Sequence, residues 1–261
     1  MRALSIASTG MLAQQLNVEV TSNNIANMNT TGYKRQRAEF QDLLYQNLQR
    51  VGAYSSDAGT ISPSGVQIGV GVKTAGVYRI TEQGNMKPTN NTYDLAIDGH
   101  GYFRVQMPDG STAYTRAGAF QLGPQGQIVS PEGYTIQPGI TIPQSATDVS
   151  INPQGEVQVK LAGQVAPQTV GQLDLATFFN EAGLEATGSN LYLETPSSGA
   201  PNVNTPGSPG FGTISQGFIE TSNVNPVSEI TSLISAQRAY EMNSKVISTA
   251  DQMLSVMSNL H

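Results

Sequence analysis

Pro226-Val227-Ser228-Glu229-Ile230-Thr231-Ser232-Leu233-Ile234-Ser235-Ala236-Gln237-Arg238-Ala239-Tyr240-Glu241, running on to Ser248-Thr249-Ala250-Asp251-Gln252-Met253-Leu254, repeats its apolar positions every seven residues. Leu233, Tyr240, Ile247 and Leu254 form one row, and Ala236, Asn243, Ala250 and Met257 form the second, the a/d pattern of a helix that packs along another helix. Asn225 stands where an N-cap is expected, and Pro226 occupies the first helical position, where its missing N–H costs nothing. Glu229 falls in the first turn, where a negative charge suits the positive end of the helix dipole. A helix over 226–260 would be about 50 Å long at roughly 1.5 Å per residue, more than one globular domain usually needs.

The opposite end of the chain carries the matching element. Residues 1–30 contain no proline, and Leu4, Met11, Val18 and Ile25 recur every seven residues, with Ala7 and Met28 offset by three. Gln14 and Thr21 interrupt that second row and weaken it. Asn23, Asn24, Asn27 and Asn29 crowd the end of this helix. Asparagine disfavours the helix interior and adopts the left-handed conformation easily, so the cluster reads as a C-terminal stop with Gly32 as the exit. Hydrogen bonding of these amides to a neighbouring subunit is the second reading.

Between the helices the pattern changes to period two. Tyr78-Arg79-Ile80, Tyr93 to Ile97, Tyr102 to Met107 and Glu156 to Lys160 alternate, punctuated by Pro108-Asp109-Gly110-Ser111, Gly123-Pro124-Gln125-Gly126 and Asn152-Pro153-Gln154-Gly155. Strands of this length without a helical window between them indicate an antiparallel sandwich or barrel-like domain. Residues 196–213 have no periodicity and are expected to be loop. The polar stretch Gly52–Ser64 is longer than an ordinary connection. The expected fold is α+β: long N- and C-terminal helices paired as a coiled-coil-like layer, and a central antiparallel β domain joined by an extended polar linker. Its parts are a discontinuous helical domain (1–32 and 226–261), a connecting region (33–80 and 212–225, with the loop 52–64) and the β domain (81–211).

Composition removes several classes of function. Of the 261 residues only 12% are charged, about half the usual share, while Ser, Thr, Asn and Gln make up a third. The net charge of −6 and the shortness of Lys34-Arg35-Gln36-Arg37 argue against nucleic acid, which is held by many cations. No run of 18 apolar residues crosses a membrane. Zero cysteines and two histidines exclude thiolate chemistry and a His-rich metal site. Gly69-Val70-Gly71 and Gly99-His100-Gly101 lack the strand–loop–helix setting of a phosphate loop and read as bulges or turns, so no cofactor is expected. Asp94, Asp98 and Asp109 are the carboxylates from which a peptidoglycan-cleaving site could be built, but Asp109 sits in a Pro-Asp-Gly turn with a backbone role of its own. The N-terminus lacks the charged and apolar regions of a cleavable secretory signal.

Three stretches resemble the signatures of the bacterial flagellar rod and hook family. The first is Ser22-Asn23-Asn24-Ile25-Ala26-Asn27-Met28-Asn29-Thr30-Thr31-Gly32-Tyr33-Lys34. The second is Tyr93-Asp94-Leu95-Ala96-Ile97-Asp98-Gly99-His100-Gly101-Tyr102-Phe103, continued by Tyr114-Thr115-Arg116-Ala117-Gly118-Ala119-Phe120. The third is Ser222-Asn223-Val224-Asn225 through Gln237-Arg238-Ala239-Tyr240-Glu241 to Leu254. The chain is too short for the further domain of hook members. Phe40 to Gln46, Ser64 to Val72 and Glu220 to Asn225 resemble the distal rod branch, with the proximal branch as the alternative. The resemblance implies a non-enzymatic subunit of a straight, hollow helical shaft in the periplasm, exported by the flagellar type III apparatus without a cleavable signal. The implied partners are further copies of itself, proximal rod proteins, the hook protein, and the ring proteins of the peptidoglycan and outer membrane. A periplasmic peptidoglycan-binding or muralytic module is the alternative of a different class.

Overall fold

The computed structural model describes residues 2–49, 64–164 and 166–258. The loop 52–63 and the side chain of Met257 therefore lie outside the described residues. The chain forms two compact units, one of residues 1–25, 36–78 and 225–261, the other of residues 26–35 and 79–224.

The first unit contains both long helices, α1 (Arg2–Ala26) and α2 (Pro226–Ser258). Helix α2 begins where Asn225 and Pro226 place it: the Asn225 side-chain oxygen accepts from the amides of Val227 (3.1 Å) and Ser228 (3.3 Å). These bonds satisfy two donors that a helix start leaves open. The helices run antiparallel, since Asn24 near the end of α1 bonds Glu229 at the start of α2, while Gly10 faces Asn243 further along. A methyl group at Gly10 would meet the Asn243 side-chain amide at 2.9 Å, a contact that a shift of the Asn243 side chain relieves. Two short strand pairs complete the unit, Gln36–Asp42 with Val72–Arg79 and Tyr45–Gln49 with Val66–Gly69. Neither pair was legible as strand on the 36–49 side, where apolar residues do not alternate regularly.

The second unit is built of antiparallel sheets. Its largest has nine strands around Tyr102–Gln106, which pairs with Thr112–Thr115, Thr135–Ile136 and Leu175–Thr177. A three-stranded sheet joins Ala146–Ile151, Glu156–Leu161 and Gln168–Gln172. Two further pairs bring the C-terminal part of the unit back: Leu95–Asp98 with Thr213–Gln216, and Met86–Pro88 with Phe218–Glu220. The strand Tyr102–Gln106 is covered on both faces. Phe103 enters the main core with Leu95, Phe120, Leu175 and Ile214, and Val105 is also fully buried. Tyr102 points the other way into an aromatic cluster with Tyr114, Phe178 and Tyr192. Rings there meet edge to face, at 4.8 Å for Tyr114 and Phe178, the arrangement the ring quadrupole favours. Residues 196–213, expected as loop throughout, include the strand Asn202–Asn204, which pairs with Leu175–Thr177. All three of its residues are exposed, so an edge strand held by backbone bonds leaves no apolar alternation to see.

Candidate assembly surface

Three motifs far apart in sequence meet at one buried carboxylate. Glu220, 1% exposed, accepts from the Lys34 ammonium (2.6 Å), from Arg116 Nε (2.8 Å) and from the Gly84 amide (2.8 Å). Lys34 also donates to the Glu82 carbonyl (2.8 Å). Arg116 spends its remaining reach on the turn at 99–101, donating to the carbonyls of Gly101 (2.6 Å) and Gly99 (2.8 Å). Burial alone would raise the Glu220 carboxyl, but Arg116 and Lys34 together hold it below the ordinary glutamate range. Burial pushes the Lys34 ammonium down, against the opposing attraction of Glu220. An ion pair withdrawn from water this far is tolerated only when its hydrogen bonds are satisfied, and here the backbone supplies the missing partners.

The rest of the N-terminal motif attaches to the same place. Gly32 has a φ of +69° and donates to the Glu220 carbonyl (2.9 Å). A methyl group there would lie 2.7 Å from the Ala117 amide nitrogen, so Gly32 is required for close approach as well as for chain reversal. The Asn223 side chain accepts from the Arg35 amide (2.7 Å) and donates to the carbonyls of Ile80 (3.1 Å) and Glu82 (2.9 Å). Tyr33 is half-buried beside these residues in sequence. Asp94, 8% exposed, accepts from the Asn91 amide (3.0 Å), and its carbonyl accepts from Gly217 (2.8 Å). Phe103 is core, and Gly99 and Gly101 shape the turn that Arg116 grips.

In the first unit Asn24 has a different task from that of a helix stop. It is 1% exposed and inside α1; its amide donates to the Gln36 carbonyl (2.8 Å) and to Glu229 (3.1 Å), and its oxygen accepts from the Gln36 amide (2.9 Å). One side chain thus ties α1, the next strand and α2 together. Asn27 does the local turn work, with its carbonyl accepting from the Thr30 amide (3.1 Å) and its side chain from the Thr30 hydroxyl (3.1 Å). Asn23 lies on the exposed side of the helix.

Along the helix pair the buried apolar positions are Val20 and four alanines. Ala7 and Ala13 of α1 and Ala236 and Ala250 of α2 are buried. Leu4, Met11, Val18 and Ile25, expected as a seam row, are half-buried, as are Leu233 and Ile247. Tyr240 is 43% exposed and Leu254 37%, while Gln237 and Arg238 are exposed. Small residues let two helices approach closely, and larger side chains then ride at the flanks. Helix α2 also exposes large apolar side chains to solvent, Val227, Ile230 and Ile234 in its first half and, on a side turned from these, Met242, Val246 and Met253 in its second.

The carboxylates considered for hydrolysis have local duties. Asp109 accepts from the amide (2.9 Å) and hydroxyl (2.6 Å) of Ser111, and those bonds hold its carboxyl below the usual range. Asp98 is exposed on a strand, and His100 is an exposed turn residue. Among the described residues no group of three or more His, Asp and Glu could hold a metal ion, and no described helix is long and apolar enough to cross a membrane. Sequence reasoning did not single out Glu220 or Glu229 as tertiary anchors. A glutamate at the end of a short strand, or in a helix first turn, has an ordinary local explanation that hides its distant partner.

Known proteins agree with the motif reading along the whole chain. Residues 4–34 match the model of the flagella basal body rod protein, 96–159 that of the flagellar hook protein FlgE/F/G D1 domain, and 215–260 that of the flagellar basal body rod FlgEFG protein C-terminal. The chain is 64% identical over 260 residues to flagellar basal-body rod protein FlgG of Caulobacter vibrioides, covering all of this chain and 99% of that one. It is 39% identical over 265 residues to the protein of that name in Bacillus subtilis, again covering 100% of this chain and 99% of the relative. Flagellar basal-body rod protein FlgF of Caulobacter vibrioides is 35% identical over 269 residues, covering 99% of this chain and 97% of its own. With likeness this deep over its full length, the chain belongs to the flagellar basal-body rod protein family.

Proposed function

We propose that this chain is a self-assembling structural subunit of the distal part of the flagellar rod, a periplasmic shaft that carries torque from motor to hook and continues the export channel. The observation that carries this reading is the set of large apolar side chains that α2 leaves exposed beside α1. Exposed Val227, Ile230, Ile234 and Met253 have no use in a lone subunit and every use in a packed one. The low charge of the chain fits the same purpose, since amides and hydroxyls exchange water for partners at lower cost than buried charges do. The distal position is supported by the comparison within one organism, 64% identity to FlgG against 35% to FlgF of Caulobacter vibrioides. Association with other rod and hook proteins follows from the family. Proximal rod proteins below, the hook protein above, and the peptidoglycan and outer-membrane ring proteins around the shaft are the partners this position calls for. Electron microscopy of basal bodies from cells lacking the protein tests it. A rod that stops partway across the periplasm is the expected result; loss of the whole shaft would move the chain to the proximal rod, and an intact rod would overturn the assignment.

A further inference from the structure

The helix pair carries a groove that its own fold leaves open. Gln15, Val18 and Glu19 of α1 and Gln237, Tyr240 and Glu241 of α2 line a space of ≈ 460 Å³. Val18 and Tyr240 provide apolar surface, and each helix contributes one carboxylate to the rim. The Asn24–Glu229 and Gly10–Asn243 contacts share one antiparallel register. That register sets Glu19 level with Ile234, seven residues from Glu241, or about 10 Å along the groove at roughly 1.5 Å per residue.

A complementary stripe lies on α2 itself. Arg238 and Lys245 are exposed and are also seven residues apart, with exposed Met242 between them. Among the described residues no ion pair joins Arg238, Lys245, Glu241 or Glu19 to any partner, although Glu241 lies within helical reach of both cations. Glu19 takes only an amide bond from Gln15 (3.0 Å).

Resting on the assembly reading above, we propose that the groove of one copy receives the Arg238–Met242–Lys245 stripe of a second copy. The axial spacings match, and the long Arg238 and Lys245 side chains take up the lateral step between the two helices so that both ion pairs close. Met242 then enters between them against Val18 and the Tyr240 ring, a favourable sulfur–aromatic contact. Exposed ion pairs add little affinity, so their role here is to fix register and exclude misaligned neighbours. Groove and stripe are different sets of residues, so a copy that gives its stripe to one neighbour and its groove to another makes a heterologous, open-ended contact, as a filament requires.

Charge reversal in full-length chains tests this in cells lacking the native protein. One variant carries Glu19→Lys with Glu241→Lys, the other Arg238→Glu with Lys245→Glu. All four side chains are at the surface, and circular dichroism with thermal melting of each purified chain verifies that it folds. Each variant alone is expected to lose rod growth beyond background in electron micrographs of basal bodies. Producing both together is expected to restore it, because each groove then meets an opposite stripe. Rods built by either folded variant alone, or no restoration by two folded variants together, would overturn the pairing while leaving rod function intact. If either variant fails to fold, Glu19→Gln with Arg238→Gln replaces it, and undiminished rod growth by that chain overturns the proposal. A complete rod in cells without any copy would instead remove the assembly reading itself.

Discussion

Glu220 carries more of the second unit than its place in a three-residue strand suggests. Removing its charge leaves Lys34 and Arg116 buried without compensation, and breaking such a pair costs about 3–5 kcal/mol. We predict that Glu220→Gln lowers the stability of the second unit by that order at pH 7, read as a fall in urea midpoint. The pH dependence follows from the depressed carboxyl. The unfolded chain binds the proton first as pH falls, so the contribution is complete above the ordinary glutamate pKa of about 4.3 and is lost as pH falls through the lower folded value. Wild-type stability should therefore drop more steeply between pH 6 and pH 3 than that of Glu220→Gln. Parallel pH profiles for the two chains would show that the carboxylate is not the anchor. Arg116 shares this fate, since its guanidinium also holds the turn carbonyls of Gly99 and Gly101.

At the scale of the element, α2 shows how local signals and tertiary needs divide the work. Its start is set locally by Asn225, and Asn225→Ala should cost about 1 kcal/mol, measured by thermal unfolding of the first unit. No change in melting would mean that the cap is redundant with the Asn24–Glu229 tie. Its partner face is set by small residues. Ala236 is 2% exposed, so Ala236→Leu has no free space for its added atoms and should destabilise the first unit by about 1–3 kcal/mol. A leucine accommodated without loss would show that the helices slide freely over each other. Heptad periodicity located both helices and put Ala236 and Ala250 in the seam, where both are buried, but it did not separate them from the large row, which lies half-buried or exposed. Periodicity reports which residues share a face, whereas depth depends on how near the partner backbone comes.

For the molecule as a whole, the residues of α2 that the fold buries have to be distinguished from the large apolar ones it leaves exposed, which the proposed assembly would use. Placing aspartate at both Val227 and Ile234 should leave the monomer folded, because both are exposed, and should abolish rod growth in cells. Normal rods from that chain would remove this face from the assembly surface. The antiparallel β unit was legible from period-two alternation and from turn signals such as Asn152-Pro153-Gln154-Gly155, where the Gly155 amide does bond the Asn152 carbonyl (2.9 Å). Its edge strands were not, because exposed segments such as Asn202–Asn204 alternate nothing.

By itself the sequence determined the two end helices, the start of the second at Asn225-Pro226, the β character between them, and the family. Each of these depends on neighbours within one or two turns, or on motifs whose residues are contiguous. Only the tertiary structure decided that Lys34, Arg116 and Glu220 converge, that Asn24 is a bridge to Gln36 and Glu229, and that Gly32 is held against Ala117. Those contacts join residues separated by 12 to 205 positions. Such pairings arise when the chain buries apolar surface and must then satisfy every polar group enclosed with it, a constraint that no local window contains.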